Sequence, residues 1–171
     1  MVARDSVDQI IQAWAKRDPR VDATPLEVVG RLLLCATHLE RALVAALQPF
    51  ELSFGDFDVL NTVRRRGDEL GTNPSDLAES ALITTGAMTA RLDRLERAGL
   101  VRRARDPADR RAVRVHLTRE GERLAEHALG AVIAADRAFL EPLSQRQRAS
   151  LASLLKRLLL PAERAAPQRR A

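Results

Sequence analysis

The sequence predicts a mainly α-helical fold with one small β-hairpin, which places it in the α+β class. Apolar residues recur at the three- and four-residue spacing of amphipathic helices along most of the chain, and most of these segments begin at Ser, Thr or Asn. Only residues 100–117 contain segments that alternate between apolar and polar side chains, as strands do. With 171 residues, 46% of them hydrophobic, the chain is long enough for one domain with additional helices.

Two helices are expected in the first 50 residues. Ser6 and Gln9 have the spacing of a capping box and predict a short helix that ends near Asp18. The pattern Thr-Pro-Leu-Glu at residues 24–27 predicts the start of a second helix, with Thr as the cap and Pro at the first helical position. This helix carries a leucine stripe and should reach about Gln48, where a proline follows.

Three further helices are predicted before residue 100. Ser53 caps the first, which should close near Gly67. A very short helix is expected over residues 73–80, and another over residues 84–99, capped by the threonine at 84 or 85. Two short helices joined by about four residues are typical of a helix-turn-helix.

The two strand-like segments follow this motif directly. Residues 100–105 and 112–117 are predicted to pair, and residues 106–111 form a basic tip that is rich in turn residues. A hairpin directly after a helix-turn-helix indicates a winged helix-turn-helix, which we assign to residues 51–118 as the DNA-binding domain.

The C-terminal part of the chain is predicted to form two helices and a tail. Thr118 caps a long helix, and residues 144–147 form the capping box of a last helix with many leucines. These leucine-rich faces exceed what the small central domain can cover. We therefore expect residues 119–160 and residues 1–50 to form a dimer interface, with a single-chain helical core as the alternative. Residues 161–171 are polar and are expected to be disordered.

The positive charge of the chain is concentrated in one segment. Residues 91–114 contain nine arginines and four acidic residues, so this segment carries the whole net charge of +5. A basic patch on an otherwise neutral protein predicts a surface that binds a polyanion. Aromatic residues make up only 3% of the chain and tyrosine is absent, which disfavours a stacking platform for single-stranded nucleic acid.

Several other functions are disfavoured by residue usage. Cys35 is the only cysteine, so we expect neither an internal disulfide nor a cysteine-based zinc site. The histidines His38, His116 and His127 lack a metal-ligand spacing and no nucleophile motif occurs, so we expect no enzyme, no metal and no cofactor. No apolar run suits a membrane span and the first residues lack a signal-peptide core, which predicts a cytoplasmic protein.

A group of motifs in the second half of the chain resembles the MarR family of winged-helix transcription regulators. The motifs are Leu77-Ala78, the run from Thr84 to Val101, Asp106-x-x-Asp109-Arg110-Arg111 and Leu117-Thr118-x-x-Gly121. With the order and length of the helices, the resemblance covers about residues 25–160. It implies a homodimer that binds pseudo-palindromic double-stranded DNA, and that usually releases it when a small molecule binds or a cysteine is oxidised.

The helix over residues 84–99 is the expected recognition helix. Met88, Leu92 and Leu95 share one side of it, which should face the core. The opposite side should enter the major groove, because its small side chains allow close approach to base edges. The residues of this segment that we expect to contact DNA are Thr84, Thr85, Gly86, Thr89, Ala90, Asp93 and Arg97. An ordinary amphipathic helix with an indifferent outer face is the alternative.

The hairpin tip and the short helix predict further DNA contacts. The resemblance implies that Asp109 orients Arg111 into the minor groove, and a narrow A·T-rich groove attracts a guanidinium. Arg110 is expected to contact phosphate or to support the wing. Asn73 and Ser75 suit phosphate because helix N-termini bind anions. For the tip, a solvated run of charges is the alternative.

Four residues suggest a small-molecule site. The urate-responsive branch of the family resembles this chain more closely than the rest, and the resemblance assigns ligand binding to Trp14, Asp58, Arg91 and Arg103. Arg91 also leans towards the core side of its helix, which is costly unless it is paired or liganded. The set suits a planar purine anion such as urate, or a small polycarboxylate, between the N-terminal helices and the winged helix. The alternative is a structural Asp58–Arg91 salt bridge with Trp14 in the core.

The predicted function is a homodimeric, sequence-specific transcription regulator, expected to be a repressor released by a small anionic ligand. A non-specific architectural winged-helix module is one alternative. A regulator that senses oxidation of Cys35 is another, although a cysteine on a leucine stripe is more often a buried core residue. An unrelated phenolic ligand, or no ligand, is also compatible with the sequence.

Overall fold

The computed structural model describes residues 3–68, 71–80, 88–106, 109 and 112–165, without the side chains of 78–80. The described part is mainly helical with one antiparallel pair of strands, so the predicted fold class is confirmed. The helices are α1 (Ser6–Arg17), α2 (Leu26–Leu47), a 3-10 turn (Gln48–Phe50), α3 (Phe54–Arg66), α4 (Pro74–Ser80), α5 (Met88–Arg97), α6 (Arg119–Phe139) and α7 (Gln145–Ala165). The strands are β1 (Val101–Arg105) and β2 (Val113–Leu117).

The chain divides into two compact units, Met1–Ala42 and Leu43–Ala171. The division lies inside α2. The second unit contains the end of α2, the helices and strands of the predicted winged helix, and α6 and α7.

The first unit is held together by α1 and the first part of α2. Val7 is buried against Gly30, where an added Cβ would lie 3.1 Å from a Val7 methyl group. Arg31 bonds the start of α1, with Nε 2.7 Å from an oxygen of Asp5 and Nη2 2.6 Å from an oxygen of Asp8. The backbone N–H of Asp8 and then the Arg31 guanidinium lower the pKa of Asp5 below its ordinary value.

The predicted cap of α1 was wrong by one residue. Asp5, and not Ser6, is the N-cap, because its carboxylate accepts the N–H groups of Val7 and Asp8 at 2.9 Å and also bonds Arg31. A hydroxyl at Ser6 could not make both sets of contacts. At the start of α2, the hydroxyl of Thr24 donates to Asp22 instead of capping the helix.

The core of the second unit lies between α3, α4, α5, the hairpin and α6. Apolar side chains from each of these elements are buried in it: Val59, Leu60, Val63, Leu77, Met88, Leu92, Leu95, Leu100, Val101, Val115 and Ala125. A second cluster joins the end of α2 to α3 and α6 and contains Leu47, Phe57, Ala128 and Val132. The hairpin is also tied to the residue before α4, because the backbones of Thr72 and Val115 exchange two hydrogen bonds of 2.9 Å.

Most other helix ends agree with the sequence. Ser53 caps α3, Gly67 ends it with φ +60°, and Thr118 and Ser144 cap α6 and α7. The expected tail is wrong at its start, because α7 continues through Pro161 to Ala165. Residues 162–165 are good helix formers, which favours a further turn of helix after the proline. None of the described helices is long and apolar enough to span a membrane.

Candidate DNA interface

Helix α5 has the orientation that the sequence predicted for a recognition helix. Met88, Leu92 and Leu95 are buried, and Thr89 and Ala90 on the opposite side are exposed. The other two predicted contact residues of its described part, Asp93 and Arg97, are exposed as well. The outer face therefore presents two small side chains, one acid and one arginine to whatever binds there.

Several predicted contact residues do not belong to the part of the chain that the structure describes. Thr84, Thr85 and Gly86 before α5, and Arg110 and Arg111 at the hairpin tip, lie outside the described residues. Their contacts with DNA remain predictions from the sequence.

Asn73 forms a turn at the start of α4. Its Oδ1 accepts the backbone N–H of Ser75 at 2.9 Å, so this N–H is already satisfied and is not available to a phosphate. Ser75 is exposed.

The base of the wing is organised by Asp106, a residue to which the sequence assigned no role of its own. Asp106 is buried, its carboxylate accepts from Arg114 Nε, and it also accepts the backbone N–H of Asp109 at 3.1 Å. Asp109, the predicted support of the tip, is exposed. The sequence indicates this turn by two aspartates three residues apart, Asp106 and Asp109, with an arginine directly after the second.

One flank of α5 is bonded to the start of α3. Arg94 Nη2 donates to Asp56 Oδ1 at 2.5 Å, and Arg91 Nη1 lies 3.9 Å from the same oxygen. Arg91 also lies 3.4 Å from the hydroxyl of Ser53, and its buried Nε has no hydrogen-bond partner within the described part of the chain. Asp56 was not singled out from the sequence, because its two arginine neighbours, Arg91 and Arg94, are 35 and 38 positions away.

The other flank of α5 is bonded to β1. Arg103 Nη1 lies 2.7 Å from Asp93 Oδ1 and 2.8 Å from Glu96 Oε2, and the backbone N–H of Arg103 also donates to Glu96. Burial alone would lower the pKa of Arg103, but the bonds to Asp93 and Glu96 outweigh it and raise the pKa above its ordinary value. Arg103 therefore remains a cation that neutralises two acids on the recognition helix.

The surroundings of the four predicted ligand residues differ from those that the structural alternative requires. Trp14 belongs to the first unit and is 44% exposed, which contradicts the alternative of a core tryptophan. Asp58 is buried in α3, but the carboxylate beside Arg91 is Asp56. The alternative of an Asp58–Arg91 salt bridge is therefore wrong, because Arg91 lies beside Asp56 instead. Arg103 is engaged by Asp93 and Glu96.

Cys35 is exposed on α2 in the single chain, and not buried as its leucine-rich surroundings suggested. Its neighbours Leu32, Leu33 and Leu34 are exposed too. The stripe therefore lacks a covering element in the described part of one chain.

Comparison with known proteins is consistent with this geometry. Residues 50–112 match the model of the MarR family. The HTH-type transcriptional regulator PecS from Dickeya dadantii (strain 3937) is 36% identical over 152 residues, which cover 89% of this chain and 92% of PecS.

Solved structures give the same result. A mutant MarR from E. coli complexed with operator DNA matches with a TM-score of 0.68 and 28% identity, over 91% of this chain and 99% of the other. A MarR family protein from Mycobacterium tuberculosis in complex with salicylic acid matches with a TM-score of 0.59 and 31% identity, over 76% and 95% of the two chains. The named relatives are transcription regulators and not enzymes.

Proposed function

This chain belongs to the MarR family of winged-helix transcription regulators, and we propose that it is a homodimeric repressor that recognises pseudo-palindromic DNA and releases it on binding a small anionic ligand. The observation that carries the proposal is the outer face of α5, where Thr89 and Ala90 are small and exposed. Small side chains allow a helix to approach base edges in the major groove. The E. coli relative in complex with operator DNA supports this use of the fold.

A substitution on this face tests the proposal. Ala90→Glu adds bulk and negative charge where the major groove should be, so operator affinity should fall at least about tenfold, or about 1.4 kcal/mol. The operator is a duplex selected from a random pool with the wild-type protein, and binding is measured by fluorescence anisotropy. Ala13→Glu, on the exposed side of α1, is the matched control and should bind normally.

The same titrations separate the proposal from its alternative. A sequence-specific regulator prefers the selected duplex over a random one at every salt concentration. Equal affinities with equal salt slopes for the two duplexes would instead identify a non-specific architectural module.

The wing is proposed to make the second contact. Arg111 should enter the minor groove beside the α5 site, and Asn73 and Ser75 should contact phosphate. Arg111→Ala is expected to weaken operator binding by roughly 1–3 kcal/mol, with a larger loss on operators with A·T-rich flanks. Unchanged affinity of this variant would remove the wing from the interface.

A homodimer is supported by two exposed apolar surfaces. Leu32, Leu33 and Leu34 are exposed on α2, and α7 exposes Leu154 and Leu158, at 52% and 59%. Clusters of large apolar side chains that one chain leaves exposed commonly mark an interface with a partner. A two-fold dimer would cover such faces and present two recognition helices to the two halves of a palindrome.

Release by an anionic ligand is supported by Arg91. Its Nε is buried without a hydrogen-bond partner among the described residues, and its nearest carboxylate oxygen is 3.9 Å away, so it retains capacity to bind a carboxylate or an enolate. The mycobacterial relative in complex with salicylic acid supports a ligand of this class. Asp58 and Arg103 belong to the same unit and are proposed as further ligand residues.

Thermal unfolding with urate, xanthine, aconitate, citrate and salicylate tests the ligand. A compound that binds the folded state raises the unfolding temperature, and by linkage it must weaken DNA binding if it prefers the DNA-free form. Arg91→Ala should remove both effects after correction for its own DNA affinity. If all five compounds are inert at millimolar concentration, this part of the proposal fails.

Because Cys35 is exposed, peroxide treatment of the wild type and of Cys35→Ser tests the alternative of a redox-sensing regulator.

A further inference from the structure

Asp56 is a buried acid that has more than a capping role. It occupies the third position of α3, where its backbone N–H donates to the Ser53 hydroxyl at 3.1 Å and its Oδ2 accepts from that hydroxyl at 2.6 Å. These contacts occupy one carboxylate oxygen. The other oxygen, Oδ1, is directed at the recognition helix, and the side chain is only 7% exposed.

The bond from Oδ1 to Arg94 is short and specific. Arg94 Nη2 donates to it at 2.5 Å, across 38 residues of sequence, although Arg94 itself is half-exposed and could be solvated instead. A buried carboxylate is costly unless it is paired. The pair therefore resists any movement that would carry Arg94 away from the start of α3.

Hydrophobic packing decides which side of α5 faces the core, and directional contacts can restrain the rotation of the helix more narrowly. Met88, Leu92 and Leu95 hold the helix on the core, but burial of apolar surface is not directional. Charge-assisted hydrogen bonds are directional. One pair lies on each flank of α5, Asp56–Arg94 towards α3 and Arg103–Asp93 towards β1, so together they set which side chains face outwards.

We propose that Asp56 is a positioning residue for DNA recognition, which fixes the rotation of α5 through Arg94 and so determines how Thr89 and Ala90 meet base edges. This inference rests on the proposed sequence-specific binding and adds to it a residue that touches no DNA. Loss of the pair should reduce discrimination between sequences more than it reduces attraction to DNA in general.

Asp56→Asn tests the inference, because a purely electrostatic role and a positioning role predict opposite changes in operator affinity. Removal of a negative charge near a DNA-binding surface should, by electrostatics alone, strengthen binding to every duplex. Loss of a positioning contact should instead weaken binding to the selected operator by about tenfold, while binding to a random duplex is unchanged or slightly stronger. Asparagine keeps the size and the hydrogen bonds to Ser53, so α3 should remain capped.

A double-mutant cycle identifies the partner. Arg94→Gln should reproduce the loss of operator preference, and the variant with both changes should be no worse than either alone. Arg94→Lys should restore part of the preference. Glu122→Gln is the matched control, because Glu122 accepts from Arg64 at 2.7 Å and ties α3 to α6 rather than to α5. It should leave the operator-to-random ratio unchanged.

Gly55 offers an independent variant that spares the pair. An added Cβ at Gly55 would lie 2.0 Å from Arg91 Nη1, at the far end of a flexible side chain, so Gly55→Ala displaces Arg91 and changes neither member of the Asp56–Arg94 pair. It should keep operator preference if the Asp56–Arg94 pair is the positioning contact.

The possible results are distinct. If the losses of operator affinity in the cycle are additive, Arg94 acts by contacting DNA itself. If Asp56→Asn binds both duplexes more strongly, Asp56 acts only through its charge. Either outcome overturns the inference. If Asp56→Asn does not fold, the inference is tested with Arg94→Gln and Arg94→Lys, which should fold because the Arg94 side chain is half-exposed. A wild type without operator preference would overturn the proposed function itself, which is a different result.

Discussion

At the scale of single residues, the sequence predicts which side of a helix a residue occupies better than it predicts the partner. Arg91 was expected to lean inwards, and its side chain is 23% exposed. The alternative to a ligand site paired it with Asp58, whereas the carboxylate beside it is that of Asp56. The side follows from the local period of α5, but the partner depends on how α3 is rotated against it, and no local pattern encodes that rotation.

His116 carries a prediction for the dependence of stability on pH. Its imidazole packs on Gly71, where an added Cβ would lie 2.6 Å from Nε2. Burial, and then the charge of Arg102 on the paired strand, lower the pKa of His116 below its ordinary value of 6.5. The unfolded chain therefore takes up this proton more readily than the folded one. The stability contribution is present above pH 6.5 and is lost as the pH falls through the lower folded pKa.

Denaturant unfolding at several pH values measures this effect. The free energy of unfolding should fall from about pH 7.5 to about pH 5, and His116→Gln should show a shallower fall over the same range. The comparison is between slopes, so a constant difference in stability between the two proteins does not matter. Parallel curves would show that His116 is not linked to folding.

At the scale of elements, helix ends are predictable where one side chain decides them. Ser53, Thr118 and Ser144 were assigned as caps and act as caps, since the hydroxyl and the N–H that it accepts are within three residues. Asp5 and not Ser6 caps α1, through a capping box in which the carboxylates of Asp5 and Asp8 accept each other's backbone N–H. That signal was local and was assigned one residue too late, whereas the bond from Arg94 to Asp56 spans 38 residues and is invisible to a local pattern.

Gly121 and Gly130 provide a matched pair of substitutions in α6. An added Cβ at Gly121 would lie 1.9 Å from the carbonyl oxygen of Leu100, so backbone would have to move, and Gly121→Ala should destabilise by roughly 1–3 kcal/mol. At Gly130 nothing lies within 4 Å, and Gly130→Ala should stabilise by about 0.5–1 kcal/mol through helix propensity. Chemical denaturation measures both. Equal effects of the two changes would contradict the close packing of α6 on Leu100.

At the scale of the whole molecule, the succession of helices and hairpin could be predicted and their grouping could not. The periodicity and the caps are local, and they gave the order of elements correctly. The joining of α6 to the winged-helix body depends on Ala125, Ala128 and Val132, small apolar residues whose partners on α3 cannot be identified by spacing. The exposure of Cys35 likewise depends on which faces of α2 are packed against other helices, and the sequence does not encode this locally.

The exposed face of α7 carries the prediction for the assembled protein. Leu151, Leu154, Leu155 and Leu158 follow the three- and four-residue spacing of one helical stripe, and all four are exposed in the single chain. Burial of a leucine contributes about 1.5–3 kcal/mol, so covering the stripe in a dimer is strongly favourable, and Leu158→Glu together with Leu154→Glu should oppose it.

Sedimentation should then give the mass of one 18.9 kDa chain at micromolar concentration, where the wild type gives twice that mass. Lys156→Glu, on another face of α7, is the control and should remain dimeric. Because a palindrome needs two recognition helices held at a fixed separation, the monomeric variant should also lose most of its operator affinity while random duplex binding by each winged helix persists. A wild-type chain that sediments as a monomer and still binds its operator tightly would show that α7 has a partner other than a second copy.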